Sequence, residues 1–147
     1  MGLTKNKDKF KMFVCDTGLF VTLAFWDKSF TENVIYEKLL ADKLPANLGY
    51  VYENLVAQML AAAGNELYYH TWSRDEKHYY EIDFILSRGA KICPVEVKSS
   101  SSKTHASLDE FCRIHSSRIL WRYLVYTKDY SKDQETIMIP AYIVPFI

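Results

Sequence analysis

Cysteine is scarce: Cys15, Cys93 and Cys112 are the only ones in 147 residues. Their spacing matches no zinc motif, and their odd number argues against a disulfide framework. All three stand in apolar contexts, so they are expected as buried thiols in a reducing cytoplasm. Net charge is lacking as well. Eighteen basic residues balance 18 acidic ones, which counts against a protein whose main task is coating nucleic acid, though not against a local basic patch. No apolar run is long enough to cross a bilayer, so no membrane partner is expected. The opening residues Met-Gly-Leu-Thr-Lys-Asn-Lys-Asp-Lys lack the apolar stretch of a signal peptide. Asn6 stands where a myristoylation signal after Gly2 needs Ser or Thr. Repeats are missing, and the single low-complexity run is Ser99–Ser102.

What is present is an ordinary globular composition, 49% apolar and 24% charged, in a chain long enough for one compact domain with a real core. The most informative stretch runs from Tyr79 to Ser100 and reads as two strands joined by a tight turn. Strand alternation assigns Ile82, Phe84 and Leu86 to one face and Glu81, Asp83 and Ile85 to the other. In the second strand Cys93, Val95 and Val97 share a face, and Pro94, Glu96 and Lys98 the opposite one. Gly89, with its freedom to take positive φ, marks the turn. A two-residue loop of Arg88 and Gly89 sets Asp83 opposite Pro94 and makes Glu96 its diagonal neighbour, with Cα atoms about 7–8 Å apart. Two carboxylates and an ammonium then converge on one sheet face. A hard divalent cation is one partner for such a group. The polar face of a half-exposed hairpin in water gives the same alternation.

Taken in order, the chain opens with a strand over Phe10–Cys15, overlapped by a lysine run, Lys5, Lys7, Lys9 and Lys11, that reads as a solvated tail. Leu19–Trp26 is apolar throughout, and periodicity leaves it either helix or strand. Ser29-Phe30-Thr31-Glu32 is a capping-box pattern that predicts a packing helix from Phe30 to Lys43. A second helix is predicted over Tyr50–Ala63, ended by Gly64-Asn65, with Tyr52, Leu55, Val56, Met59, Leu60 and Ala63 as its apolar stripe. Glu53 lies on the edge of that stripe, either at the surface or reaching into a site on the sheet below. An aromatic strand follows over Glu66–Trp72; its His70 reads as structural. After the hairpin come a polar serine loop, a helix opened by Ser107-Leu108-Asp109-Glu110 and running through Ile114, and a strand over Arg118–Tyr126. A charged turn over Thr127–Gln134 leads to a last strand, Thr136–Ile139.

The order helix with Glu53, strand, strand with Asp83, strand with Glu96-Val97-Lys98, helix, strand resembles the PD-(D/E)XK nuclease fold. That resemblance implies an α/β, restriction-endonuclease-like αβββαβ core, a central mixed sheet flanked by helices. Residues 49–147 would form this core and residues 1–48 an N-terminal strand and helical appendage. A closer resemblance rests on Asp16-Thr17-Gly18-Leu19, Tyr52-Glu53-Asn54-Leu55-Val56 and Tyr68-Tyr69-His70-Thr71-Trp72. Glu81-Ile82-Asp83-Phe84-Ile85-Leu86, Pro94-Val95-Glu96-Val97-Lys98-Ser99 and Ser107-Leu108-Asp109-Glu110-Phe111 continue it. The string is similar to the domain of uncharacterised function that ends many prokaryotic AAA-type ATPases. In that family an ATPase module precedes the domain. This sequence has no Gly-x-x-x-x-Gly-Lys-Ser/Thr, so it is expected neither to bind nor to hydrolyse ATP by that route.

The resemblance carries over Glu53, Asp83, Glu96 and Lys98. It implies Mg²⁺ or Mn²⁺ held by Asp83 and Glu96, with the Val97 carbonyl and Glu53 as further ligands. Asp83, Glu96 and Lys98 would be the catalytic set, with Lys98 orienting water or neutralising charge on the phosphate. Ser99 and Ser100 are candidates for phosphate contacts. The implied partner is DNA or RNA, and the implied reaction is phosphodiester hydrolysis in the cytoplasm. Two other readings stand beside it: a catalytically idle module that binds nucleic acid or protein, and a homodimerisation unit that pairs through an exposed edge of the aromatic strands.

Overall fold

The computed structural model describes residues 10–24, 26, 48–99 and 105–147. The helix expected over Phe30–Lys43, the lysines Lys5, Lys7 and Lys9, and Ser100 lie outside the described residues. The choice between helix and strand left open for Leu19–Trp26 falls to helix over its first part: α1 spans Thr17–Ala24. Its N-terminus is capped by Asp16, whose Oδ1 accepts the Leu19 N–H at 2.8 Å. The next helix, α2, spans Leu48–Ala62. It stops in a Schellman turn, in which the Asn65 N–H reaches the Leu60 carbonyl and the Gly64 N–H that of Ala61. Gly64 sits at φ +82°, a conformation that penalises any side chain.

A six-stranded sheet follows, in the order β1-β2-β3-β4-β6-β5. Strands β1 (Tyr68–Ser73), β2 (Tyr79–Arg88) and β3 (Lys91–Val97) form an antiparallel meander. Helix α3 (Ala106–Ile114) then crosses over, so that β4 (Arg122–Tyr126) lies parallel to β3. A short edge strand, β5 (Ser131–Asp133), turns back into β6 (Thr136–Pro140), which runs parallel to β4. A 3-10 segment, Ala141–Phe146, closes the chain against α2. The element order α2-β1-β2-β3-α3-β4 is that expected from the sequence, and the domain is α/β with a mixed sheet flanked by helices.

Both faces of the sheet are covered. Val56, Ala57 and Leu60 of α2 pack on Phe84, Leu86, Cys93, Val95, Val125 and Ile139. Leu108, Phe111 and Cys112 of α3 pack on Ile82, Ile85 and Ile92 from the other side. Ile82 therefore faces away from Phe84 and Leu86, contrary to simple alternation. The cause is a bulge in β2. Tyr68 pairs with Ile85, but His70 pairs with Ile82, so Asp83 and Phe84 together oppose the single residue Tyr69. Beyond the bulge the phase of the strand is reversed.

The hairpin turn also differs from expectation. Arg88 pairs with Lys91, leaving Gly89-Ala90 as the two-residue loop. Gly89 at φ +65° occupies its first position, as a type II′ turn requires. Phe84 then pairs with Val95, and the same register brings Asp83 level with Glu96, not with Pro94. Three smaller expectations change. Phe10–Cys15 forms no strand, α3 begins at Ala106 ahead of Ser107, and residues 118–121 precede β4 instead of belonging to it. Cys93 and Cys112 are buried as anticipated, but Cys15 is exposed because its segment runs along the outside of α2.

The α2 face supports a stability prediction. Leu60 is fully buried in the middle of it. Leu60→Ala is expected to cost about 2–5 kcal/mol, read as a lowered urea midpoint with an unchanged slope.

Candidate active site

Glu53, Glu81 and Asp83 each present a carboxylate oxygen within 4.8 Å of the other two. Helix α2 supplies the first, from the turn before its buried Val56 and Ala57. Strand β2 supplies the others: Glu81 and Asp83 share a face by ordinary alternation, and the bulge is what brings that face round to the α2 side, where Phe84 and Leu86 pack. A lysine completes the group. The Lys11 ammonium lies 2.6 Å from Glu53 Oε1, touches Glu81 Oε1, and stands 3.6 Å from Asp83 Oδ1. It also sits 5.5 Å from the ring centre of Tyr69, the residue facing the bulge.

Lys11 is held there by its own segment. Asn54, next to Glu53 and itself buried, grips Val14 on both sides. Its Oδ1 accepts the Val14 N–H at 2.8 Å, and its Nδ2 donates to the Val14 carbonyl at 3.0 Å. One helical turn on, Gln58 Oε1 accepts from the Thr17 N–H at 3.1 Å and the Thr17 hydroxyl at 2.8 Å. Between these anchors and Lys11, the Phe13 ring lies 5.5 Å from that of Phe84. The side chain of Asn54 thus satisfies a backbone that would otherwise lie unpaired along a helix.

The electrostatics follow from crowding like charges in a partly dry place. Burial pushes the Asp83 carboxyl up to about 7, helped by the charges of Glu53 and Glu96 and opposed by the Val97 N–H and Lys11. Burial alone would lower Lys11, but the hydrogen bonds it donates to Glu53 and Glu81 and the charges of Glu53 and Asp83 outweigh it. The ammonium is held well above its ordinary range.

The remaining expected residues gather at the end of β3. Lys98 Nζ pairs with Glu96 Oε1 at 2.7 Å. Glu96 Oε2 accepts the Leu108 N–H at 3.2 Å, so this buried carboxylate caps the first turn of α3. No side-chain cap comes from within the helix, and the capping box at Ser107 goes unused. Glu96 therefore reaches toward α3, whereas Asp83 reaches toward α2. The expectation that Asp83, Glu96 and Lys98 share one face is corrected here, and the β2 bulge is the reason. Val97 links the two pairs, since its N–H donates to Asp83 Oδ2 at 2.8 Å. Ser99 Oγ lies beside Gly49 in the first turn of α2. His70 stacks on Trp72 at 5.4 Å and meets the Phe111 ring edge-on at 5.9 Å, which suits a structural histidine.

Two members of the site escaped sequence reading. Glu81 alternates with Asp83 and carried a signal, the acid-x-acid spacing on one strand. Lys11 carried none beyond its charge, because its neighbours in the lysine run pointed to a tail. In donor type and separation, Glu53, Glu81 and Asp83 suit a hard divalent cation. A separate cleft of about 550 Å³, lined by Asp109, Cys112, Trp121, Arg122, Lys132 and Glu135 among others, includes none of these residues.

The fold and this cluster define a mixed α/β domain with a carboxylate-rich site where α2 meets the β2 bulge. Residues 48–144 match the family described as a domain of unknown function (DUF4143), and the chain belongs to that family. No curated protein and no solved structure matches it. No helix among the described residues is long and apolar enough to cross a membrane.

Asp83 makes stability depend on pH. Its folded pKa of about 7 lies above the ordinary 3.8, so the folded state binds the proton more tightly than the unfolded chain. This contribution is fully present below about pH 4 and is lost as pH rises through about 7. In chelator, the melting temperature of the wild type should fall across that window, and that of Asp83→Asn should fall less. Parallel profiles would show that Asp83 titrates normally.

Proposed function

We propose that this domain hydrolyses phosphodiester bonds in DNA or RNA with a divalent cation, Mg²⁺ or Mn²⁺, as the PD-(D/E)XK nucleases it resembles do. We further propose that it acts with an ATPase module that this chain does not contain. The observation that carries the reading is the convergence of Glu53, Glu81 and Asp83 on a single cation position, with the Glu96–Lys98 pair one peptide away through Val97. Glu53, Glu81 and Asp83 are the proposed ligands, with the Val97 carbonyl from the resemblance; Glu96, which the resemblance would add, is engaged by Lys98 and the α3 backbone instead. Such an ion, when bound, polarises the scissile phosphate and lowers the pKa of a bound water.

The chain's own groups do the rest. Asp83 is oriented by the Val97 N–H, which leaves its Oδ1 for the cluster. The Lys98 ammonium is one-third exposed and steadied by Glu96, so it is available to charge that develops on phosphate. The hydroxyls of Ser99 and its neighbour Ser100 are suited to donate to phosphate oxygens. A second reading has its own support. Both oxygens of Glu96 are engaged, one by Lys98 and one by the α3 backbone. On that reading Glu96 is a structural cap and the domain binds nucleic acid or protein without cutting.

Single- and double-stranded DNA and RNA incubated with the protein in Mn²⁺ should be cleaved, and chelator should stop the reaction. Lys98→Ala should slow cleavage by about 10²–10³-fold while leaving Mn²⁺ affinity nearly unchanged. Asp83→Asn should lose both. Salt-sensitive binding with no metal-dependent cleavage is the outcome that selects the idle module. Cleavage that persists undiminished in both variants would remove the assignment altogether.

A further inference from the structure

We propose that Lys11 is a built-in counter-ion that keeps a divalent cation out of the Glu53–Glu81–Asp83 cluster, and that metal binds only when the Phe10–Asp16 segment gives up this contact. The inference rests on the reading above that the cluster takes a metal. It begins with occupancy. One nitrogen atom contacts Glu53 and Glu81 and approaches Asp83 to 3.6 Å. A hard cation bound to the same oxygens would sit about 2.0–2.6 Å from each, close to where the ammonium now lies 2.6 Å from Glu53. Overlap and like charge exclude the two from being there together.

The contact is also positioned. Asn54 clamps Val14 three residues away, on the helical residue next to Glu53. Phe13 is seated against Phe84 in between. The site and the clamp therefore share one turn of α2, and the segment carries Lys11 into register with the carboxylates. The ammonium has a way out, because the Lys11 side chain is 21% exposed on a flexible four-carbon stem. By thermodynamic reciprocity, whatever loosens the segment tightens metal binding, and metal loosens the segment. Regulation of the site would then lie in the docking of the N-terminal segment.

Calorimetric titration of the full chain with MnCl₂, comparing wild type, Lys11→Met and Lys11→Arg, tests this. Lys11→Met, which keeps the aliphatic stem, is expected to bind at least about tenfold more tightly, since a unit charge at contact distance is removed. Lys11→Arg should stay near wild type. A second measurement does not depend on any variant of Lys11. The methyl signal of Met12, an exposed side chain beside Lys11, is expected to shift on Mg²⁺ addition to wild type with the midpoint of binding. Equal or weaker Mn²⁺ affinity in Lys11→Met overturns the proposal while leaving the metal site standing. Absence of Mn²⁺ binding in both wild type and Lys11→Met overturns the metal reading, and this proposal with it. Should Lys11→Met not fold, the Met12 signal decides: a shift supports displacement, and an unmoved signal during metal binding overturns it.

Discussion

Carboxylates packed this closely cannot all stay charged without a cation among them. At about 4 Å two unit charges repel by about 4 kcal/mol even at an effective dielectric of 20, and here three oxygens lie within 4.8 Å of one another. The molecule answers in two ways. Lys11 brings a positive charge from a distant part of the chain, and Asp83 holds its proton to higher pH. The first answer is not available to α2 and β2 alone, so the cluster ties three separate stretches of sequence into one unit. Without the ammonium, the same oxygens would need a metal ion or protons.

The sheet makes the cluster by an irregularity. A regular β2 would send Asp83 and Ile85 to one face and Ile82 and Phe84 to the other. The bulge lets Ile82 and Ile85 both fill the α3 core while Asp83 and Phe84 serve the α2 side. Two apolar faces stay intact, and an acidic residue arrives beside Glu53 at the margin of a packed core. The cost is an interrupted ladder between β1 and β2, where Tyr69 faces two residues and its ring helps to shelter Lys11. On the neighbouring strand the Val97 N–H bonds a side chain, Asp83, which keeps that donor satisfied.

Much of the architecture was legible because it depends on local pattern. The α2 stripe and its Gly64-Asn65 stop, the alternation of β3, and the order of helices and strands could be read directly. Gly89 located the turn, but the type II′ preference for glycine at the first loop position was the finer clue that set the register. The β2 bulge was not legible, since it arises from pairing with β1 and leaves no mark in β2 itself. Strand β5 hid in a polar stretch because it is a mostly exposed three-residue edge, defined by its pairing with β6 and not by an apolar pattern of its own. The likeness among Glu53, Asp83, Glu96 and Lys98 drew attention to the right region. It did not reveal that Glu96 also caps α3, or that Glu81 and Lys11 belong beside Glu53.

The Asn54 clamp has a mechanical meaning. Two hydrogen bonds hold Val14 from both sides of its peptide backbone, and Lys11 lies upstream of that grip. Tension applied through Phe10 therefore loads the lysine first and the clamp second. The charge can leave the carboxylates while Val14 stays anchored to α2, so one end of the segment can detach without the other.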